Sequence, residues 1–138
     1  MSNPSYDEIF KKLVKSGYRG DMPQEIERLR REGDQTTDRY ILYASGGGDP
    51  NRVVFKVREC AGDCGGEQTD CEASCLFGAI VRDMEGNVVV NQGNCSGCGN
   101  CVEVCREYSL VDKKEFVPLI ELLKDRKVPV FAIIAPAF

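Results

Sequence analysis

Apolar and polar positions alternate along this chain with two different periods, and the change of period marks its parts. Tyr6, Ile9, Phe10, Leu13 and Val14 recur at helical spacing, and Ser5 followed by Glu8 forms a capping box in front of them. Gly17 and Gly20 then offer a stop. A second helix is expected from Asp21, with Pro23 in its first turn and an end near Gly33; its stripe of Met22, Ile26 and Leu29 is thin, so it should lie on a surface. Residues 39–44 and 52–57 are rich in β-branched and aromatic side chains and read as two strands of a hairpin. Their connection, Ser45-Gly46-Gly47-Gly48-Asp49-Pro50, is followed by no Gly-Lys-Ser/Thr and opens no helix, so it reads as a turn and not as a phosphate cradle. Further on, residues 79–90 read as a hairpin turning at Glu85-Gly86. Residues 116–123 form a short amphipathic helix with Pro118 in its first turn. Residues 128–134 are apolar on both faces, as in a buried parallel strand. The chain stops four residues later, so the neighbours of that strand are expected from elsewhere, and the ending looks cut.

Composition narrows the chemistry. The 138 residues fit one domain, or a small domain with an appendage. No histidine is present, which excludes Ser-His-Asp and Cys-His catalysis and every imidazole-bound zinc or haem. With 18 basic against 22 acidic residues there is no basic excess, and no nucleic-acid partner is expected. The first 25 residues carry charges throughout, without the apolar run of a signal peptide, and no apolar stretch is long enough to span a membrane. A cytoplasmic protein follows. In that reducing compartment eight cysteines read as metal ligands before disulfides. Residues 60–112 contain all eight cysteines and hold two basic against nine acidic groups, so this segment is an acidic module between nearly neutral flanks.

The cysteines carry the chemistry. Cys95, Cys98, Cys101 and Cys105 stand as C-x2-C-x2-C-x3-C, the bacterial ferredoxin run. Three thiolates two residues apart wrap one corner of an iron–sulfur cube, Gly97 and Gly99 let the loop turn tightly, and the fourth cysteine lies beyond a helical turn and points away. All-cysteine zinc sites use two separated C-x2-C pairs, yet a structural zinc module with four cysteine ligands remains the rival of another class. Cys60, Cys64, Cys71 and Cys75 have the looser spacing C-x3-C-x6-C-x3-C. At an offset of 30, Cys71 matches Cys101, Cys75 matches Cys105, Ala79 matches Ser109, Ile80 matches Leu110 and Val81 matches Val111. The segment is an internal duplication of a ferredoxin half. Crossed ligation follows from it. One [4Fe-4S] cluster would take Cys60, Cys64, Cys71 and Cys105, and a second would take Cys95, Cys98, Cys101 and Cys75. For the irregular half, an unassembled cluster, a three-iron cluster or buried free thiols stay open as alternatives. Leu76 and Arg106 stand where ferredoxins usually have proline after the fourth cysteine; each restores a backbone N–H, and Arg106 adds a positive charge.

The expected fold is α+β, in three parts. Residues 1–57 form N-terminal helices and a β-hairpin, 58–113 a duplicated two-[4Fe-4S] ferredoxin-like core, and 114–138 a C-terminal helix and strand. No side chain makes a convincing catalytic group, so one-electron transfer is the expected work. The cysteine run, the short helix after it and the stretch Val128-Pro129-Val130-Phe131-Ala132-Ile133-Ile134-Ala135-Pro136-Ala137-Phe138 together resemble the N-terminal part of iron-only [FeFe] hydrogenases. The opening Tyr6-Asp7-Glu8-Ile9-Phe10-Lys11-Lys12-Leu13-Val14-Lys15 is similar to the helical leader of some members. That resemblance implies an electron relay to or from a di-iron site, with 114–138 as the start of a missing catalytic domain. Its implied partners are a hydrogenase catalytic domain and a soluble redox protein. The catalytic cluster of that family needs further cysteines, and all eight here are assigned, so the chain would not turn over hydrogen alone. The rival within the same class is a free-standing ferredoxin or a ferredoxin-like subunit of another oxidoreductase. The apolar end, if exposed, would favour a homodimer through strand pairing.

Overall fold

The computed structural model describes residues 4–60, 64 and 67–134. Three helices come first: α1 (Tyr6–Arg19), α2 (Met22–Glu32) and α3 (Gln35–Ala44). Ser5 Oγ accepts the Glu8 amide at 3.3 Å and the Glu8 carboxylate accepts the Ser5 amide at 2.8 Å, which completes the anticipated capping box. The helix runs past Gly17 and is closed by Gly20. Gly17 serves another purpose, since a Cβ there would stand 2.7 Å from the side chains of Ile120 and Met22, and its absence lets α1 approach the C-terminal helix.

The anticipated N-terminal hairpin is not formed. Residues 35–44 are helical, and of the two expected strands only β1 (Val54–Lys56) exists. The reason is legible in the side chains. Thr37, Tyr40, Ile41 and Ala44 are buried, a spacing of i, i+3, i+4, i+7 that places them on one helix face. Asp34 caps that helix by accepting the Thr37 amide at 2.9 Å. The aromatic and β-branched content of this stretch suggests a strand, but the cap and the burial period outweigh that propensity.

After β1 the chain makes two copies of one small unit. In the first, helix α4 (Asp70–Ser74) leads to strand β2 (Ile80–Arg82) and returns as β3 (Val88–Val90); in the second, helix α5 (Asn100–Val104) leads to strand β4 (Leu110–Asp112). Strands β2 and β3 are antiparallel with Ile80 opposite Val90, the anticipated hairpin turning through Gly86. Strand β4 pairs instead with β1, antiparallel, with Phe55 opposite Val111. A 3-10 turn at Val117–Leu119 and helix α6 (Ile120–Lys124) follow, where the short amphipathic helix is expected.

The β1–β4 ribbon divides the interior. Phe55, Val57 and Val111 face a core built with Tyr6, Ile9, Leu13, Leu29, Tyr40, Ile41 and Ile120, so the thin stripe of α2 is buried at Leu29. Val54 and Leu110, one residue away on the same strands, face the second core with Cys71, Ile80, Val88 and Cys101. The period of two in a strand turns alternate side chains to opposite layers. One ribbon thereby joins a helical layer to a cysteine layer. Tyr6 donates its hydroxyl to the Asp112 carbonyl and Tyr40 to the Tyr108 carbonyl at 2.9 Å, which ties the helices to the second unit.

Residues 128–134 form no strand. They lie exposed, with Phe131 at 82% and Ile133 at 97% of full accessibility. A strand exists only through its partner, and β-propensity without a paired edge does not make one. Residues 135–138, which complete the stretch similar to the hydrogenases, lie outside the described residues.

If residues 35–44 depend on their cap as a helix, Asp34→Ala lowers stability by about 1 kcal/mol, the ordinary worth of an N-cap. Urea unfolding followed by circular dichroism measures it, and an unchanged midpoint would count against the helical assignment.

Candidate iron–sulfur centre

Each unit positions its cysteines in the same way. Helices α4 and α5 carry Cys71 and Cys101 on their buried sides, and each helix ends at its next cysteine, Cys75 in extended conformation and Cys105 at φ -79° and ψ 87°. The turn after that cysteine is also shared. Gly78 (φ 61°) and Tyr108 (φ 51°), 30 residues apart, both stand in the left-handed region. Their amides donate to the Cys75 and Cys105 carbonyls at 3.5 and 3.2 Å. The reversal aims the following backbone amides at sulfur: Ala79 donates to Cys75 Sγ at 3.2 Å and Leu110 to Cys105 Sγ at 3.5 Å. Glycine takes this conformation freely, whereas Tyr108 is held in it by the Tyr40 hydrogen bond to its carbonyl.

The cysteines line two concavities in the crossed combination. Cys75 of the first unit joins Cys95, Cys98 and Cys101, with Ala79, Ile80 and Val54 completing the wall. Cys105 of the second unit joins Cys60, Cys64 and Cys71 around a cavity of about 110 Å³, with Lys56, Val88, Arg106, Ser109 and Leu110. Cys64 and Cys98 are the exposed members, and Cys71 and Cys101 are the buried ones. Gly97 and Gly99, both at positive φ (73° and 83°), turn the second loop around its concavity, as the spacing of that run requires.

Electrostatics separates the sulfurs. Burial pushes the Cys101 thiol up to about 11, with the neighbouring Cys95, Cys75 and Cys71 adding to it. Burial likewise raises Cys71, although the Thr69 hydroxyl and the Glu72 amide work against the rise. At Cys75 burial also opposes ionisation, yet the amides of Ala79, Phe77, Ile80 and Gly78 outweigh it and the thiol is lowered. Each concavity thus presents soft sulfur donors, some already met by N–H dipoles. Thiolate ligands with amide hydrogen bonds are what an iron–sulfur cluster takes from a protein. A mononuclear zinc would hold its sulfurs about 2.3 Å from one point. Among the described residues no three Cys, Asp or Glu side chains converge enough to hold a single ion.

A polar clamp that the sequence reading did not single out secures the irregular half. Thr69 caps α4 in a capping box with Glu72, and its hydroxyl lies 3.2 Å from Cys71 Sγ. Arg82 on β2 reaches back with two nitrogens, Nε to Oε1 and one terminal nitrogen to Oε2 of Glu72, each at 3.0 Å. The bidentate pair ties the cysteine-bearing helix to the hairpin. Thr69-x-x-Glu72 is a capping-box pattern and could have been found; the Arg82 partner, ten residues on, has no local signal.

Comparison with known proteins agrees with the second unit. Residues 88–108 match the model of the 4Fe-4S binding domain family, a span that contains Cys95, Cys98, Cys101 and Cys105. This is an iron–sulfur, ferredoxin-like region, and the chain carries an electron-transfer module of that kind. Searches of curated proteins and of solved structures find no match. Among the described residues no helix is long and apolar enough to cross a membrane.

The clamp has a pH signature. The Arg82 hydrogen bonds, with those from Thr69, push the Glu72 carboxyl down to about 2. A depressed carboxyl stabilises the fold fully above its unfolded value of about 4.3 and loses that contribution as pH falls towards the folded value. Glu72→Gln therefore costs stability near neutral pH, and its urea midpoint converges on that of the wild type as pH falls from about 4.3 through about 2. A midpoint difference that stays constant through this window would exclude the clamp.

Proposed function

We propose that this chain moves single electrons through two [4Fe-4S] clusters, one held by Cys60, Cys64, Cys71 and Cys105, the other by Cys95, Cys98, Cys101 and Cys75. The observation that carries the proposal is the crossed lining of the two concavities, each with three cysteines from one unit and the fourth from the other. The match of residues 88–108 to a 4Fe-4S binding domain supports the chemistry of the second unit. The 30-residue offset and the shared left-handed turn extend the same chemistry to the first.

With all four iron corners held by thiolates, a cube has no open position for substrate and supplies one-electron exchange alone. The protein's part is to bury the cluster, direct N–H dipoles at its sulfurs and set the surrounding charge. Exposed Cys64 and Cys98 mark the edges where each centre comes nearest to solvent and to a partner. The cysteine segment, with nine acidic against two basic groups, favours a partner with a basic docking face. In the finer reading the partner is the catalytic part of an iron-only hydrogenase, and the chain relays electrons to or from it. The resemblance of residues 6–15 and 95–138 supports that assignment. The exposed apolar run at 128–134 leaves a surface for such a domain, or for a second copy of this chain, to cover.

Anaerobic reconstitution tests the ligand sets. About eight iron and eight sulfide per chain are expected. Cys105→Ser is expected to disturb the centre of the irregular half and Cys75→Ser the other, each visible as loss of one of two EPR signals. About four iron per chain, or loss of the same signal in both variants, would overturn the crossed assignment. The hydrogenase reading predicts that the reduced chain drives hydrogen evolution by an added [FeFe] hydrogenase catalytic domain. Absence of transfer would leave a general electron carrier.

A further inference from the structure

The two concavities are built from duplicated units but are not chemically equal. Around Cys75, Cys95, Cys98 and Cys101 the wall has Ala79, Ile80, Val54 and Phe77, with Ser96 and Asn100 on the cysteine loop and no charged side chain. Around Cys60, Cys64, Cys71 and Cys105 it has the charged Lys56, Arg106 and Glu107, of both signs, and the hydroxyl of Ser109. Ser109 occupies the position that Ala79 holds in the other unit, 30 residues earlier. Ser109 is 2% exposed, and its Oγ is the one buried side-chain oxygen or nitrogen among the described residues that lacks a hydrogen-bond partner. Leaving a buried hydroxyl unpaired costs free energy, and native structures rarely do so without a reason. Its backbone carbonyl is already engaged by the Val57 amide at 2.9 Å, which fixes the residue at the edge of the ribbon beside the cavity.

We propose that the Ser109 hydroxyl donates a hydrogen bond to a sulfur of the cluster held by Cys60, Cys64, Cys71 and Cys105, and so makes that cluster the more easily reduced of the two. The inference rests on the two-cluster reading above. On reduction the cluster gains one electron from an external one-electron reductant, no proton is transferred, and the O–H bond stays intact. The reduced cluster carries one more negative charge, so an O–H dipole aimed at its sulfur stabilises it more than the oxidised form. Ala79 gives the other cluster no such donor. Electrons therefore settle first at the irregular half, and the duplication becomes a directed pair.

An EPR-monitored redox titration of the reconstituted full chain tests this. Ser109→Ala is expected to lower one midpoint potential by a three- to tenfold change in the reduction equilibrium, where tenfold is about 59 mV for one electron, and to leave the other in place. Ser109→Thr, which keeps the hydroxyl, is expected to restore the wild-type value. Two unshifted potentials with full iron content would overturn the proposal, and so would equal shifts of both. If Ser109→Ala does not load iron, Ala79→Ser carries the test: it should raise the potential of the other cluster, and no shift there overturns the idea. A wild type that holds a single cluster refutes the two-cluster reading itself, a result separate from any effect of Ser109.

Discussion

Each concavity is closed by a cysteine from the other unit, and this exchange constrains the rest of the cysteine layer. Helices α4 and α5 have five residues each, far too few to persist alone in water. They are stable because they pack on one another, and Cys71 and Cys101 are buried together with Val54, Ile80, Val88 and Leu110. The cysteine that caps each helix, Cys75 or Cys105, then joins the opposite wall. Neither unit can complete a concavity by itself. With the ligand sets proposed above, ligand supply and folding become one problem, in which bound clusters would replace much of the apolar core that so small a layer lacks.

The β1–β4 ribbon extends that constraint to the helices. Strand β4 belongs to the second unit, but its partner β1 comes from before the first cysteine, so the duplicated segment is clasped by its own N-terminal flank. Tyr6 and Tyr40 reinforce the clasp by donating to carbonyls in or just before β4, and their rings meet at 5.4 Å. Both hydroxyls are held neutral by burial, which raises their ionisation well above the usual phenol range for Tyr6 and raises it for Tyr40. These links work through the protonated hydroxyl and so persist at neutral pH.

Much of this was legible from the residues. The capping box at Ser5 and Glu8, the hairpin through Gly86 and the pairing of the cysteines at an offset of 30 are local or periodic signals, and the structure follows them. The mistaken hairpin at 39–44 and 52–57 shows where such signals compete. Tyr40, Ile41 and Tyr43 favour a strand by composition, while Asp34 and the 37, 40, 41, 44 burial period favour a helix, and tertiary contact decides. Residues 128–134 failed differently. Their pattern describes what a strand would bury, but among the described residues no strand edge meets them. The partner of β4, the hold of Arg82 on Glu72 and the unpaired oxygen of Ser109 depend on contacts between distant segments, which no window of sequence contains.

Where the two units differ, the difference follows from what touches them. The first uses Gly78 at the left-handed turn, and nothing lies within 4 Å of a Cβ placed there. The second uses Tyr108 at the same turn, where a side chain is strained, and its carbonyl is bound by Tyr40 from the helical layer. A residue that anchors the helices thus replaces one that only turns the chain. The next position repeats the contrast, Ala79 in one unit and Ser109 in the other, and so does the wall beyond it, neutral on one side and carrying Lys56, Arg106 and Glu107 on the other. The unit fastened to the helices supplies its fourth cysteine, Cys105, to the concavity with the charged and hydroxyl groups. Duplication gives two equivalent frames, and contact with the N-terminal layer on one side is what makes them unequal. For two clusters held as proposed, that inequality is the physical condition for a difference in potential, because identical surroundings would give electrons no preferred direction between them.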